Sequence, residues 1–214
     1  MQSYVLSVAI LFLFPLLSET SKGFRQKSRI PRSRDIRKFL NTSEPIWTYN
    51  STLEETLRCQ VDVMSKCSLY SIQYKRSYDI NKQVRTEHLE GWFLKHRRDE
   101  MFVAVLGNVP VIAEKLVYAS VDASCGVFKV TLPFPGEEPW HDLRVKNSSI
   151  RTGPRQDCSK YFKEALNKGT KTKPLKKGGN MKATGNPIYD PQCQRILRPI
   201  LGLWPPSVKD EHLR

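Results

Sequence analysis

At 214 residues, with 39% hydrophobic content, the chain has room for one sizeable core, does not demand two domains, and lies well above the apolar content of disordered proteins. Its formal net charge of +14 points to an anionic partner or to solvated basic tails. The five cysteines, Cys59, Cys67, Cys125, Cys158 and Cys193, form no Cys-x-x-Cys metal or redox arrangement.

Residues 1–17 are almost uncharged, and Val5 to Leu17 is an apolar run broken only by Ser7 and Pro15. It is too short to span a bilayer comfortably and fits the apolar part of a signal peptide at 1–21; the alternative is a buried amino-terminal helix. A basic, Pro- and Ser-containing arm follows at 22–33. Asp35 to Leu40 reads as a short helix capped by Ser33 or Asp35. Glu44 to Asn50 reads as a strand with Ile46 and Thr48 on one face and Trp47 on the other. Arg58 to Met64 groups Cys59, Val61 and Val63, and Ser68 to Tyr78 groups Tyr70, Ile72 and Tyr74.

Five more strand candidates follow: Gly91 to Lys95, Met101 to Leu106, Glu114 to Val121, Cys125 to Leu132 and Trp140 to Val145. Arg97 to Glu100 reads as a hairpin turn. Eight consecutive strands with short turns predict an antiparallel up-and-down barrel or a sandwich. Asp157 to Asn167 carries Cys158, Phe162 and Ala165 at helical spacing, with Gly169 as a stop. A Lys/Gly/Asn/Pro loop and an apolar, Pro-broken tail complete the chain.

Three sequons, at Asn41, Asn50 and Asn147, mark expected glycosylated surface on a secreted chain. In an oxidising compartment five cysteines predict two bridges and one odd thiol. Basic residues concentrate between Lys22 and Lys38 and again between Lys168 and Lys182. On a secreted chain they suit sulfated, heparin-like glycans or anionic membranes better than nucleic acid, unless they are simply solvated. No phosphate-cradling loop, metal helix or nucleophile elbow is present, and the four histidines are dispersed, so neither an enzyme nor a cofactor or metal is expected.

Several stretches carry a family likeness: Ser124-Cys-Gly-Val-Phe-Lys-Val130, Asp142-Leu-Arg-Val-Lys-Asn-Ser-Ser149 and Tyr189-Asp-Pro-Gln-Cys193-Gln. With them the chain resembles the tick salivary lipocalins of the histamine-binding protein family, over roughly Asp35 to Cys193. The resemblance implies a barrel domain at 34–194, mainly β, in which an eight-stranded antiparallel barrel carries a C-terminal α-helix alongside. It leaves 195–214 as a tail of unknown structure. It also implies the pairs Cys125–Cys158 and Cys59–Cys193. Cys67 is then either a buried free thiol or a link to another molecule.

Amine-holding members of that family carry Cys-Asp-aliphatic, then Glu-Leu-aromatic, then a final Cys. Here the frame reads Cys125-Gly126-Val127, Asp142-Leu143-Arg144 and Cys158. With Lys115 and Lys129 facing water, strand parity puts Glu114, Leu116, Tyr118 and Ser120 inside, with Gly126, Phe128 and Val130 from the next strand. Asp142 inside brings Trp140 and Arg144 with it. The expected ligand-binding set is therefore Asp142, Glu114, Tyr118, Phe128, Trp140 and Arg144, unless Glu114 and Asp142 only make structural hydrogen bonds at strand ends.

The function implied is a secreted, monomeric lipocalin that sequesters a small host mediator, a biogenic amine such as histamine or serotonin, and so suppresses inflammatory defence. The alternatives are an anionic lipid such as a fatty acid or leukotriene held by Arg144, and a barrel that is only a scaffold for glycan or protein binding.

Overall fold

The computed structural model describes residues 34–53, 56–170 and 185–200. The expected signal segment, the basic arm and most of the second lysine cluster lie outside the described residues.

Eight strands follow one another: β1 (Ile46–Ser51), β2 (Arg58–Cys67), β3 (Ser71–Ile80), β4 (Gln83–Leu94), β5 (Arg97–Val105), β6 (Ile112–Ala119), β7 (Cys125–Thr131) and β8 (Trp140–Lys146). Each is antiparallel to the next, and β1 pairs with β8 as well as β2, so the sheet closes on itself. Closure removes the exposed edges that an open sheet would present. β1 holds β2 only at Ile46 and Trp47; the two-residue β9 (Asn186–Pro187) pairs with Ser51 and Asn50 instead. This is a closed, eight-stranded antiparallel barrel with a C-terminal helix alongside.

α1 (Ile36–Leu40) is capped by Asp35, whose side chain accepts from the Lys38 amide at 3.1 Å. Five residues do not hold a helix in water, so tertiary contact must hold this one. Ile36, Phe39 and Leu40 supply it by filling the near end of the barrel beside Leu116 and Phe128. Burying these three side chains contributes roughly 5–9 kcal/mol before ordering entropy.

The outer face of one barrel side is buried as well. α2 (Gln156–Thr170) lays Cys158, Phe162 and Leu166, spaced four residues apart, on a layer that includes Trp47, Val61, Val127, Leu143 and Val145. Leu166 takes the place expected of Ala165, and the helix runs through Gly169. The 3-10 turn at Pro191–Ile196 and α3 (Leu197–Ile200) add Ile196 and Leu197 to the same layer, so the start of the 195–214 tail belongs to the barrel's outer core.

Both expected disulfides form. Cys125–Cys158 ties β7 to α2 and Cys59–Cys193 ties β2 to the carboxy-terminal turn, with Cα separations of 6.3 and 5.0 Å. Loop-closure estimates put such bridges at roughly 3–5 kcal/mol each. Cys59 sits at φ +55°, unusual for a residue with a Cβ, at a bulge in β2 where its amide donates to the Ile188 carbonyl. Cys67 is a free, half-buried thiol. Burial pushes its pKa up, against the pull of Arg37.

Two local expectations are corrected. β4 begins at Gln83 rather than Gly91, after a tight turn with Asn81 and Lys82 at φ +54° and +66°. Arg97 to Glu100 is strand, and the β4–β5 turn is Lys95-His96. Glu100 pairs with Lys115 across β6, which draws this polar run into the sheet.

Candidate functional site

The centre of the barrel is ionic. Asp62 on β2, Arg76 on β3, Glu114 on β6, and Asp142 and Arg144 on β8 project into one network. Glu114 is fully buried and Arg144 is 1% exposed. Arg144 Nη1 and Nη2 donate to Glu114 Oε2 and Oε1 at 2.6 and 2.9 Å, and Nη2 also donates to Asp142 Oδ2 at 3.1 Å. Arg76 makes the matching fork on Asp62, at 2.7 and 2.8 Å, and reaches Glu114 at 3.2 Å. Ser51 Oγ donates to Asp142 Oδ1 at 2.8 Å.

Such charge-assisted forks offset the desolvation of buried charges only while every member stays paired. Burial alone would raise the Glu114 pKa, yet the two guanidiniums hold it at about 2. Burial would likewise lower the pKa of Arg144, but Glu114 and Asp142 drive it up. The network therefore carries three carboxylates against two guanidiniums.

Aromatic faces complete the lining. The Arg144 guanidinium lies over the Phe128 ring, 4.3 Å from its centroid, and Arg76 lies 5.6 Å from that of Tyr74. Phe39 meets Phe128 edge-on at 5.4 Å. Between α1 and β2–β3 a cavity of about 10 Å³ is bounded by Thr42, Glu44, Asp62, Met64, Tyr74 and Arg144, among others. That is space for about one water molecule. The Tyr74 hydroxyl and Arg144 Nε, both buried, have no hydrogen-bond partner among the described residues.

Of the expected ligand residues, Glu114, Phe128, Asp142 and Arg144 come together. Trp140 lies on the same face of β8, opposite Val130, but is half-buried and two residues farther from Arg144 than Asp142 is. Tyr118 is a correction. A bulge at Val117 pairs Leu116 with Phe128 but Tyr118 with Val127, which turns Tyr118 to the outside of the barrel. There its hydroxyl donates to Asp157 Oδ2 at 2.7 Å and its ring stacks on Tyr161 at 3.9 Å.

Asp62, Arg76 and Tyr74 were missing from the expected set. Parity offered a signal for Arg76, which shares a face with Tyr74. For β2 it misled, because the apolar face carrying Val61 packs outward under the carboxy-terminal turn while Asp62 points inward. Gly126 also gains a meaning, since a Cβ there would stand 3.0 Å from both Phe39 Cε2 and Leu116 Cδ1. The space a side chain at 126 would need is where the Phe39 ring of α1 enters.

Of the sequons, Asn41 is exposed, whereas Asn50 is half-buried within β1. Asn147 is half-buried too, its side-chain oxygen accepting from Trp47 Nε1 at 2.9 Å and Gln194 Nε2 at 3.0 Å.

No family model matches the chain, and no curated protein matches it. Among solved structures it is similar to a serotonin complex of AM182, at 18% identity and a TM-score of 0.46, over 60% of this chain and 81% of that one. It is also similar to Japanin from Rhipicephalus appendiculatus bound to cholesterol, at 8% identity and a TM-score of 0.43, over 57% and 86% of the two chains. A third is the siderocalin Ex-FABP, at 8% identity and a TM-score of 0.46, over 60% and 86%.

Proposed function

We propose that this is a secreted binding protein that takes a small amine such as histamine or serotonin at the α1 end of its barrel. The observation that carries the reading is the charge imbalance of the interior, three carboxylates joined to two guanidiniums. A monocation completes that balance, and an anion worsens it. An ammonium placed beside Asp62 in this cavity also has the Tyr74 hydroxyl on the cavity wall.

The cavity must enlarge to admit such a ligand. Its walls include Met64, Met101 and Leu40, and methionine re-packs at low cost. The two disulfides support an oxidising, extracellular setting. An anionic lipid fits less well, because both terminal nitrogens of Arg144 are already engaged by Glu114 and Asp142.

Calorimetric titration of the secreted chain with histamine and serotonin tests the reading. Heat of binding at micromolar protein, reduced at least about tenfold in Asp62→Asn, is expected. Silence with both amines, or saturable binding of a fatty acid in their place, overturns it.

A further inference from the structure

The end of the barrel that α1 closes gathers basic residues from three separate segments. α1 and its approach bring Arg34, Arg37 and Lys38. The end of β2 brings Lys66. The β4–β5 turn brings Lys95, and the start of β5 brings Arg97 and Arg98. The three are contiguous. Arg98 reaches the α1 cap Asp35 at 3.6 Å, the Phe93 amide donates to the Tyr70 carbonyl at 2.8 Å, and Arg37 and Lys38 share a surface groove with Cys67, Ser68 and Leu69. The nearby carboxylates cancel only part of this charge. Asp35 pairs with Arg98, Glu100 with Arg97 and Lys115, and Asp99 with Lys115, which leaves Arg34, Arg37, Lys38, Lys66 and Lys95 as the positive excess of this end.

In the middle of these cations stands an apolar tip. Leu69 and Tyr70, in the β2–β3 turn, are 69% and 78% exposed. The turn is held in shape. Ser68 Oγ accepts from the Tyr70 and Ser71 amides at 3.1 and 2.9 Å and donates to the Ser71 carbonyl at 3.0 Å. A leucine and a tyrosine presented side by side on a fixed turn, ringed by Lys and Arg, match a phospholipid interface. The apolar pair enters the headgroup layer while the cations meet anionic phosphates. A sulfated glycan would use the cations and leave Leu69 in water.

We propose that this end is a peripheral docking face for an anionic phospholipid surface, with Leu69 and Tyr70 as the inserted residues. It is independent of the interior site, since neither residue touches the ionic network. Because Asn41 lines the same groove and heads a sequon, the protein for the test carries Asn41→Gln, so that no glycan holds the face away from a membrane.

The experiment is flotation of the full secreted chain with vesicles of phosphatidylcholine containing about one-third phosphatidylserine, against phosphatidylcholine alone, with heparin–agarose run in parallel. Binding only to the anionic vesicles is expected. Leu69→Ser/Tyr70→Ser and Lys38→Glu/Lys66→Glu should each weaken it about tenfold. All four positions are exposed or at a turn, and an unchanged far-UV spectrum with unchanged amine titration separates lost docking from lost fold. No flotation with anionic vesicles overturns the proposal. So does flotation indifferent to Leu69→Ser/Tyr70→Ser, and so does retention on heparin with no vesicle binding, which makes the face a glycan site.

Discussion

Arg144→Met tests whether the barrel is organised around its ionic centre. Methionine matches the arginine stem in length, so the substitution removes the guanidinium while opening little volume. Among the described residues Glu114 then keeps one charged contact, from Arg76 at 3.2 Å, in place of three, and Asp142 keeps the Ser51 hydroxyl. Breaking a buried pair by deleting one partner costs about 3–5 kcal/mol, a large part of the stability of a domain this size. Removing the stranded carboxylate should restore most of it, so Arg144→Met/Glu114→Leu is expected to fall short of the summed single losses by about 2–3 kcal/mol. Equilibrium urea unfolding with the disulfides intact, read as midpoint and slope, measures all three variants against the parent. If Arg144→Met lies within about 1 kcal/mol of the parent, or the double variant is simply additive, the charges are not the mutually dependent unit described above.

Acid titration of stability should carry the mark of Glu114. Its folded pKa of about 2 lies below its ordinary value of 4.5, so its contribution is complete above about pH 4.5 and is lost as pH falls toward 2. The size is about 3 kcal/mol, and Glu114→Gln should abolish this acid phase; an acid phase unaltered in that variant rejects the assignment. Gly126→Ala should cost about 1–3 kcal/mol, because the new methyl meets Phe39, Leu116 and the Tyr118 carbonyl at 3.0–3.1 Å. It should also speed amide exchange in α1, most visibly at Phe39, whose amide donates to the Asp35 carbonyl. Unchanged exchange would mean that Phe39 does not depend on the space at Gly126.

The strand count was legible because alternation is strong wherever one face is apolar and the other wet, as in Ser71 to Tyr78, whereas alternation left barrel and sandwich open and closure came from the family resemblance. Alternation fails where both faces are buried. On β2 the more apolar face is the outer one, under the Pro191–Leu197 turn, so Val61 concealed the inward position of Asp62. The first half of β4 escaped notice because Gln83 to Glu90 is mostly polar and its turn, Asn81-Lys82, lacks the glycine that advertises such a conformation. Tyr118 was misplaced for another reason. Parity counts residues, and a single bulge at Val117 reverses every side chain beyond it. Nothing in the residue types of that strand announces the bulge. The disulfide pairs came from the family resemblance, since five cysteines alone allow several pairings.

Gly126, Arg144 and α1 form one linked unit. Glycine at 126 admits the Phe39 ring, which meets Phe128 edge-on, and the Arg144 guanidinium takes the face of Phe128 and spans to Glu114. An aspartate placed at 126 would collide with Phe39 and add a fourth carboxylate to a centre that has two guanidiniums. An aromatic residue placed at 144 would leave three buried carboxylates facing Arg76 alone. Each substitution is unfavourable while the other residue stands, so the two positions and α1 must change together. The Gly126–Arg144 side is thereby filled, with an arginine on the ring face and on the carboxylates. The remaining space lies on the other side, bordered by Asp62 and by the Tyr74 hydroxyl, which has no hydrogen-bond partner among the described residues.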